Sequence, residues 1–132
     1  MSLVPRPPNQ FLQALPPAEF EILRPRLKTF AMVRDTVLVE AGAALTHVYL
    51  PHSGAISIVV RLAEGQAVEV AMIGRDSAVG VVEALGDGVS LTDAVVLFPG
   101  TASVIEIADF KAAVAQSAAL RSSLGRDRKS VV

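Results

Sequence analysis

The sequence contains no cysteine and no tryptophan, and it has a single tyrosine. The absence of cysteine excludes disulfides, thiolate nucleophiles and cysteine-based metal or iron–sulfur sites. No apolar run reaches the roughly 18 residues that a membrane-spanning helix needs, because charged residues, glycine or proline interrupt every candidate. Residues 1–10 carry three prolines and no apolar block, so a secretory signal is not expected. These absences predict a cytoplasmic protein without a membrane partner.

Charge is distributed unevenly along the 132 residues, although the net charge is only −1. Residues 1–34 hold five cations and two anions, whereas residues 35–110 hold two cations and ten anions. A nucleic-acid backbone is bound by clustered Lys and Arg side chains. Direct binding of DNA or RNA by the middle of the chain is therefore not predicted. Hydrophobic residues make up 52% of the sequence, which is enough for a buried core.

Two short helices are predicted near the N-terminus. Asn9 can cap the first, and the next proline ends it. The second is expected from Pro17, at its first position, to about Leu27, with Pro25 as a candidate kink. The prolines before Asn9 predict a flexible lead over residues 1–8.

The apolar residues follow the period of β-strands over most of the chain between residues 29 and 107. About eight short strands with glycine turns between them are predicted, and the clearest runs from Ala55 to Leu62. Towards the C-terminus the period becomes helical, with Phe110, Ala113 and Val114 on one face. Helices flanking many short strands indicate a mainly β fold of the α+β type: a sandwich, a jelly roll or a small barrel.

Residues that could support catalysis are few. Only His47 and His52 could act as general bases near neutral pH, and their offset of five would place them on opposite faces of a straight strand. A shared metal, or haem ligation by either histidine, stays open beside the interpretation as two partly exposed imidazoles. Glu40, Glu69 and Glu83 could supply carboxylates, but no spacing pairs them. Without a nucleophile elbow, P-loop or dinucleotide motif, no enzyme, metal or cofactor is predicted.

An anion site is the more specific question. A short helix after Gly80, from Val81 to Leu85, could offer backbone N–H groups to a phosphate. Phosphate pockets normally also contain Arg or Lys, and residues 77–101 contain neither. Two aspartates in that stretch, one of them Asp93, would repel an anion.

The order of elements over residues 9–124 resembles the sensor domain of Crp/Fnr-type bacterial transcription regulators, which has the cyclic-nucleotide-binding fold. The similar segments are Asn9-Gln-Phe-Leu-Gln-Ala-Leu, Val39-Glu-Ala-Gly42, Val48-Tyr-Leu-Pro-His-Ser-Gly54 and Ile73-Gly-Arg-Asp-Ser-Ala-Val-Gly80. The resemblance implies a double-stranded β-helix, or jelly roll, with N-terminal helices and the start of a C-terminal dimer helix. It also implies an effector-sensing role.

The nucleotide-binding members of that family carry a Gly-Glu pair, whose Glu contacts the ribose, and a later Arg that pairs with the cyclic phosphate. Here Gly80 keeps the glycine, Val81 replaces the Glu, and Leu91 or Thr92 replaces the Arg. The resemblance therefore implies that cAMP binding is lost or very weak. An unknown apolar effector, or no effector at all, are the alternatives. The candidate pocket is lined by Ile58, Val70, Val79, Gly80, Val81 and the predicted strand residues Leu91, Thr92, Asp93 and Ala94.

The C-terminus departs from the family pattern, which continues through a long dimer helix into a helix-turn-helix domain. Leu120 and Leu124 begin such a helix, and Gly125 breaks it. We expect residues 125–132 to be a non-native tail on a fragment that lacks the DNA-binding domain. The parent would be a homodimer, dimerisation of this chain would be weak, and DNA would be contacted only through the missing part. The alternatives are a stand-alone ligand- or partner-binding module and a cupin-like metalloenzyme.

Overall fold

Helices precede and follow the β-strands along the chain in the computed structural model, which describes residues 6–117 and Leu120. This part of the chain contains four α-helices, one 3₁₀ turn and seven strands. The elements are α1 (Gln10–Ala14), α2 (Pro17–Leu23), the 3₁₀ turn (Arg24–Arg26), β1 (Lys28–Met32), β2 (Val37–Val39), β3 (His47–Pro51), β4 (Ala55–Arg61), β5 (Ala67–Ile73), α3 (Val81–Leu85), β6 (Asp93–Phe98), β7 (Gly100–Glu106) and α4 (Ile107–Gln116).

The strands form two antiparallel sheets, one in the order β1-β7-β3 and the other in the order β2-β6-β4-β5. The β4–β5 hairpin turns at Gly65, which has a φ of +87°, a value that favours glycine. The predicted mainly β jelly roll with flanking helices is therefore confirmed. Val79, which begins a predicted apolar segment, forms only an isolated bridge to Tyr49.

Two cores share the three-stranded sheet as a common wall. Because side chains alternate along a strand, Val48 and Leu50 of β3 pack against the helices, whereas Tyr49 packs between the two sheets. Phe110 of α4 is 1% exposed at the centre of the helical core. The inner core between the sheets includes Ile58, together with apolar residues of β1, β2, β5 and β6.

The helix boundaries follow the capping residues. Asn9 caps α1, as predicted, by accepting a hydrogen bond from Leu12 N. The second helix ends at Leu23, four residues before the predicted end, and Pro25 lies within the 3₁₀ turn that follows. Proline has no N–H for an α-helical hydrogen bond, which explains the early end. No helix in the described part of the chain is long and apolar enough to cross a lipid bilayer.

The two ends of the chain are only partly described. Ser117 Oγ accepts a hydrogen bond from Leu120 N at 3.0 Å, as expected of a capping residue. The remainder of the predicted dimer helix, including Leu124, and the predicted tail at 125–132 lie outside the described residues. The first five residues of the predicted lead also lie outside them.

Candidate functional site

The short helix α3 begins at a glycine that the local geometry requires. Gly80 is its N-cap, with a φ of +102°. A Cβ at this position would lie 2.8 Å from Leu45 Cδ2 and 3.2 Å from the carbonyl oxygen of His47. The predicted helix start at Gly80 is thus confirmed. The contact between this glycine and Leu45 is evident only from the structure. We call residues 79–93 the cassette.

The first residue of α3 belongs to the core rather than to an open site. Val81 is 1% exposed and Ala84 is 2% exposed, and both pack in the helical core. Glu83, on the same helix, has a buried Oε1 atom with no hydrogen-bond partner among the described residues. The position that the resemblance assigns to a ribose-binding Glu is thus occupied by the buried, apolar side chain of Val81.

The loop after α3 is stabilised by hydrogen bonds between a side-chain hydroxyl and the backbone of the same loop. Ser90 Oγ donates to the carbonyl oxygen of Thr92 at 2.8 Å and accepts from Thr92 N at 3.2 Å. The strand predicted from Leu91 therefore begins only at Asp93, since these bonds form a turn where the prediction placed a strand. The Leu91 side chain is 88% exposed. Backbone hydrogen bonds from Gly42 N to the Ser90 carbonyl and from Ser90 N to the Ala43 carbonyl hold the loop beside β2.

A carboxylate follows directly after Thr92. Asp93 Oδ1 accepts from Ala41 N at 2.8 Å, and Oδ2 accepts from Arg61 Nε at 2.5 Å. The backbone hydrogen bond from Ala41, and then the one from Arg61, hold the pKa of Asp93 below its ordinary value. This carboxylate is therefore negative at neutral pH, and the cation nearest to it already serves as its partner. Sequence reasoning missed the pair, because Arg61 and Asp93 are 32 residues apart.

The predicted pocket residues fall into two groups. Ile58, Val79 and Ala94 lie together in the core between the sheets, whereas Val81 packs in the helical core. Val70 does not join them, because it is 56% exposed on β5. A register shift between Ile58 and Val59 pairs these residues with Ala71 and Glu69, so Val70 has no partner across the hairpin.

The two histidines lie in separate hydrogen-bonding environments. His47 Nδ1 is 2.9 Å from Thr46 Oγ1, and His52 Nε2 is 2.6 Å from Ser103 Oγ. Burial lowers the pKa of His52 below its ordinary value of 6.5. Within residues 6–117 and Leu120, no three His, Cys, Asp or Glu side chains are grouped as metal ligands.

The fold and the cassette together define a jelly-roll domain with two antiparallel sheets, a glycine-capped helix between β5 and β6, and further helices packed on one sheet. Residues 31–117 match the family described as "Cyclic nucleotide-binding domain", and the chain belongs to that family. Cyclic nucleotide-binding domains are typically regulatory rather than catalytic. No curated protein sequence matches the chain.

Solved structures share this fold at low sequence identity. The regulatory subunit of a cAMP-independent protein kinase A from Trypanosoma brucei is 19% identical, with a TM-score of 0.75 over 90% of this chain and 43% of its own. The N-terminal domain of a Streptomyces coelicolor transcriptional regulator is 16% identical, with a TM-score of 0.73 over 92% of this chain and 87% of that one. The Thermus thermophilus catabolite activator protein is 17% identical, with a TM-score of 0.75 over 89% and 55%. The chain thus spans about half the length of two of these proteins, and the likeness concerns the fold alone.

Proposed function

We propose that this chain is the cytoplasmic effector-sensing domain of a Crp/Fnr-type transcription regulator, and that it does not bind cAMP through the usual charged contacts. Membership of the cyclic nucleotide-binding domain family supports the sensing role. The transcriptional regulator and the catabolite activator among the similar structures support the regulator class. The observation that carries the second part is the cassette, where Val81 is buried and Leu91 is 88% exposed.

Electrostatics argue against a cyclic phosphate in this cassette. Arg or Lys does not occur between residues 77 and 101, and the carboxylate of Asp93 follows Thr92. Its partner Arg61, bonded through Nε at 2.5 Å, has its charge offset by this carboxylate. Loss of an Arg–phosphate pair costs on the order of 2–5 kcal/mol, or about 30-fold to several-thousand-fold in affinity. The kinase subunit described as cAMP-independent indicates that this fold is also used without cAMP.

Isothermal titration with cAMP and with cGMP tests this part of the proposal. The unmodified chain should give no saturable binding in the micromolar range. Leu91→Arg and Thr92→Arg, made separately, should show which position stands in the place of the family's Arg, because only the correct one should gain affinity, by about 10-fold or more. Val33→Arg is the matched control, since Val33 is 64% exposed in the turn after β1. Low-micromolar binding of cAMP by the unmodified chain would overturn the proposal.

The mechanism we propose is a shift of the hinge between the jelly roll and the helices after β7, driven by an effector or a protein partner. A longer parent protein would carry the DNA-binding domain and form a homodimer. Dimerisation of the 132-residue chain alone would be weak. Sequencing the gene beyond codon 124 with long reads tests this directly. A reading frame that continues into a helix-turn-helix pattern supports the regulator. A stop after Val132 would favour a module that acts without DNA.

A further inference from the structure

A cleft outside the cassette opens between the N-terminal segment and the three-stranded sheet. Its volume is about 480 Å³, which falls within the ordinary range of pockets for small ligands. It lies beside the helical layer, and none of its lining residues belongs to the cassette. The lining residues are Arg6, Pro7, Pro8, Phe20, Arg24, Leu27, Lys28, Thr29, His52 and Ser103.

The charge of this cleft is of one sign. Arg6, Arg24 and Lys28 contribute three cations, and no Asp or Glu is among the described residues that line it. The nearby Glu21 pairs with Arg24 at 2.8 Å, but both side chains are more than two-fifths exposed. An exposed pair of this kind is weak and can exchange for a better anionic partner. The excess of cations in the first 34 residues is thus partly concentrated at one cleft.

One of the three cations is held in place before any ligand arrives. Arg6 Nη1 donates to three carbonyl oxygens at the end of α1, at 2.6–3.2 Å, and its guanidinium lies 4.6 Å from the centre of the Phe20 ring. All three of these bonds use Nη1, and the described residues provide no partner for Nε or Nη2. Ordering a long side chain in advance removes part of the entropic cost of binding. Arg6 is therefore a preorganised donor at the rim of the cleft.

Neutral hydrogen-bonding groups line the sheet side of the cleft. Thr29 of β1 is directly opposite Ser103 of β7 in the antiparallel register. Ser103 is 2% exposed, and its Oγ lies 2.6 Å from Nε2 of His52. Leu27 and the two prolines add apolar walls, and Phe20, which is 3% exposed, lies beneath the Arg6 guanidinium. Such a mixture of cations, hydroxyls and apolar surface suits a ligand with a charged head and an apolar body.

We propose that this cleft binds a small organic anion with a dianionic headgroup of the phosphate monoester type and an apolar body. Arg24 and Lys28 would pair with the headgroup together with Arg6, because several cations in one cleft favour a doubly charged anion over a singly charged one. The apolar body would lie against Leu27 and the two prolines, because the Arg6 guanidinium already covers the Phe20 ring. This site is independent of the cassette, so its occupancy does not depend on whether the chain binds a cyclic nucleotide.

The test uses phenyl phosphate as the probe, with inorganic phosphate and phenol as the two halves of the ligand. Binding is followed by nitrogen-15 amide spectra of the full 132-residue chain. The Thr29 and Ser103 amides should shift saturably with phenyl phosphate. Inorganic phosphate should bind about 10-fold more weakly, and phenol should leave these amides in place.

Two double variants with the same change in net charge separate the site from a general charge effect. Arg24→Gln with Lys28→Gln should weaken phenyl phosphate by about 10-fold or more. Arg26→Gln with Arg34→Gln should leave binding unchanged, because neither side chain lines the cleft. Equal loss in both variants, or no shift of Thr29 and Ser103 up to about 10 mM probe, would overturn the proposal. Titration of cAMP on the same samples reports on the cassette separately.

Discussion

A single buried amide joins the first helix to the segment that leads into the cassette. The Asn9 side chain is 0% exposed. Its Oδ1 accepts from Leu12 N at 3.2 Å, and its Nδ2 donates to the carbonyl oxygens of Pro51 and Ser77, both at 2.9 Å. Residue 9 therefore has two roles, as a helix cap and as a donor to two chain segments far away in sequence.

The two roles have separate energetic costs. Asn9→Ala should lose about 1 kcal/mol for the missing cap. It should also leave the carbonyls of Pro51 and Ser77 without their buried donor, at about 1–3 kcal/mol each. We expect a total loss of roughly 3–7 kcal/mol in the free energy of unfolding, which is a large part of the stability of a small domain.

The comparison of substitutions at Asn9 makes the prediction specific. Aspartate caps helices as well as asparagine does, yet Asn9→Asp should destabilise at least as much as Asn9→Ala. Its carboxylate would face two carbonyl oxygens and could donate to neither, which makes its burial unfavourable. Gln10→Ala is the control, because the Gln10 side chain is exposed. Urea unfolding followed by circular dichroism gives the values. An Asn9→Asp chain as stable as the unmodified one would refute the reasoning.

Three further outcomes follow from single positions. Gly80→Ala should lower stability in the same unfolding assay by about 1–3 kcal/mol, because φ is +102° and the added Cβ meets Leu45; Gly42→Ala, with φ of +85° and no atom within 4 Å, should cost less. Phe110→Ala should cost about 3–5 kcal/mol, since Phe110 is 1% exposed, and a thermal midpoint close to that of the unmodified chain would contradict this. His52 has a pKa lowered by burial, so the folded chain binds fewer protons than the unfolded chain between that pKa and 6.5. The stability that comes from burying neutral His52 should be fully present above pH 6.5 and should be lost as the pH falls from 6.5 towards the lowered pKa. His52→Gln should flatten the dependence of the unfolding free energy on pH over that range.

Local chemistry was sufficient for much of the fold. The alternating apolar residues predicted the strands, Asn9 predicted a helix start, and Gly80 predicted the start of α3. The missing charges of the cassette were also evident from the residue types at the positions that the resemblance assigns, since Val81, and Leu91 or Thr92, cannot form the family's ionic contacts. These features depend on neighbours within one turn or one strand, which a sequence pattern records directly.

Long-range features were decided only by the tertiary structure. The register shift in the β4–β5 hairpin leaves Val70 outside the pocket that the alternation pattern assigned to it. Antiparallel pairing brings Arg61 to Asp93, and helix packing brings Arg6 to a cleft that also contains His52. Such contacts depend on register and packing between segments that are far apart in the chain, and a one-residue shift of register changes which side chains meet.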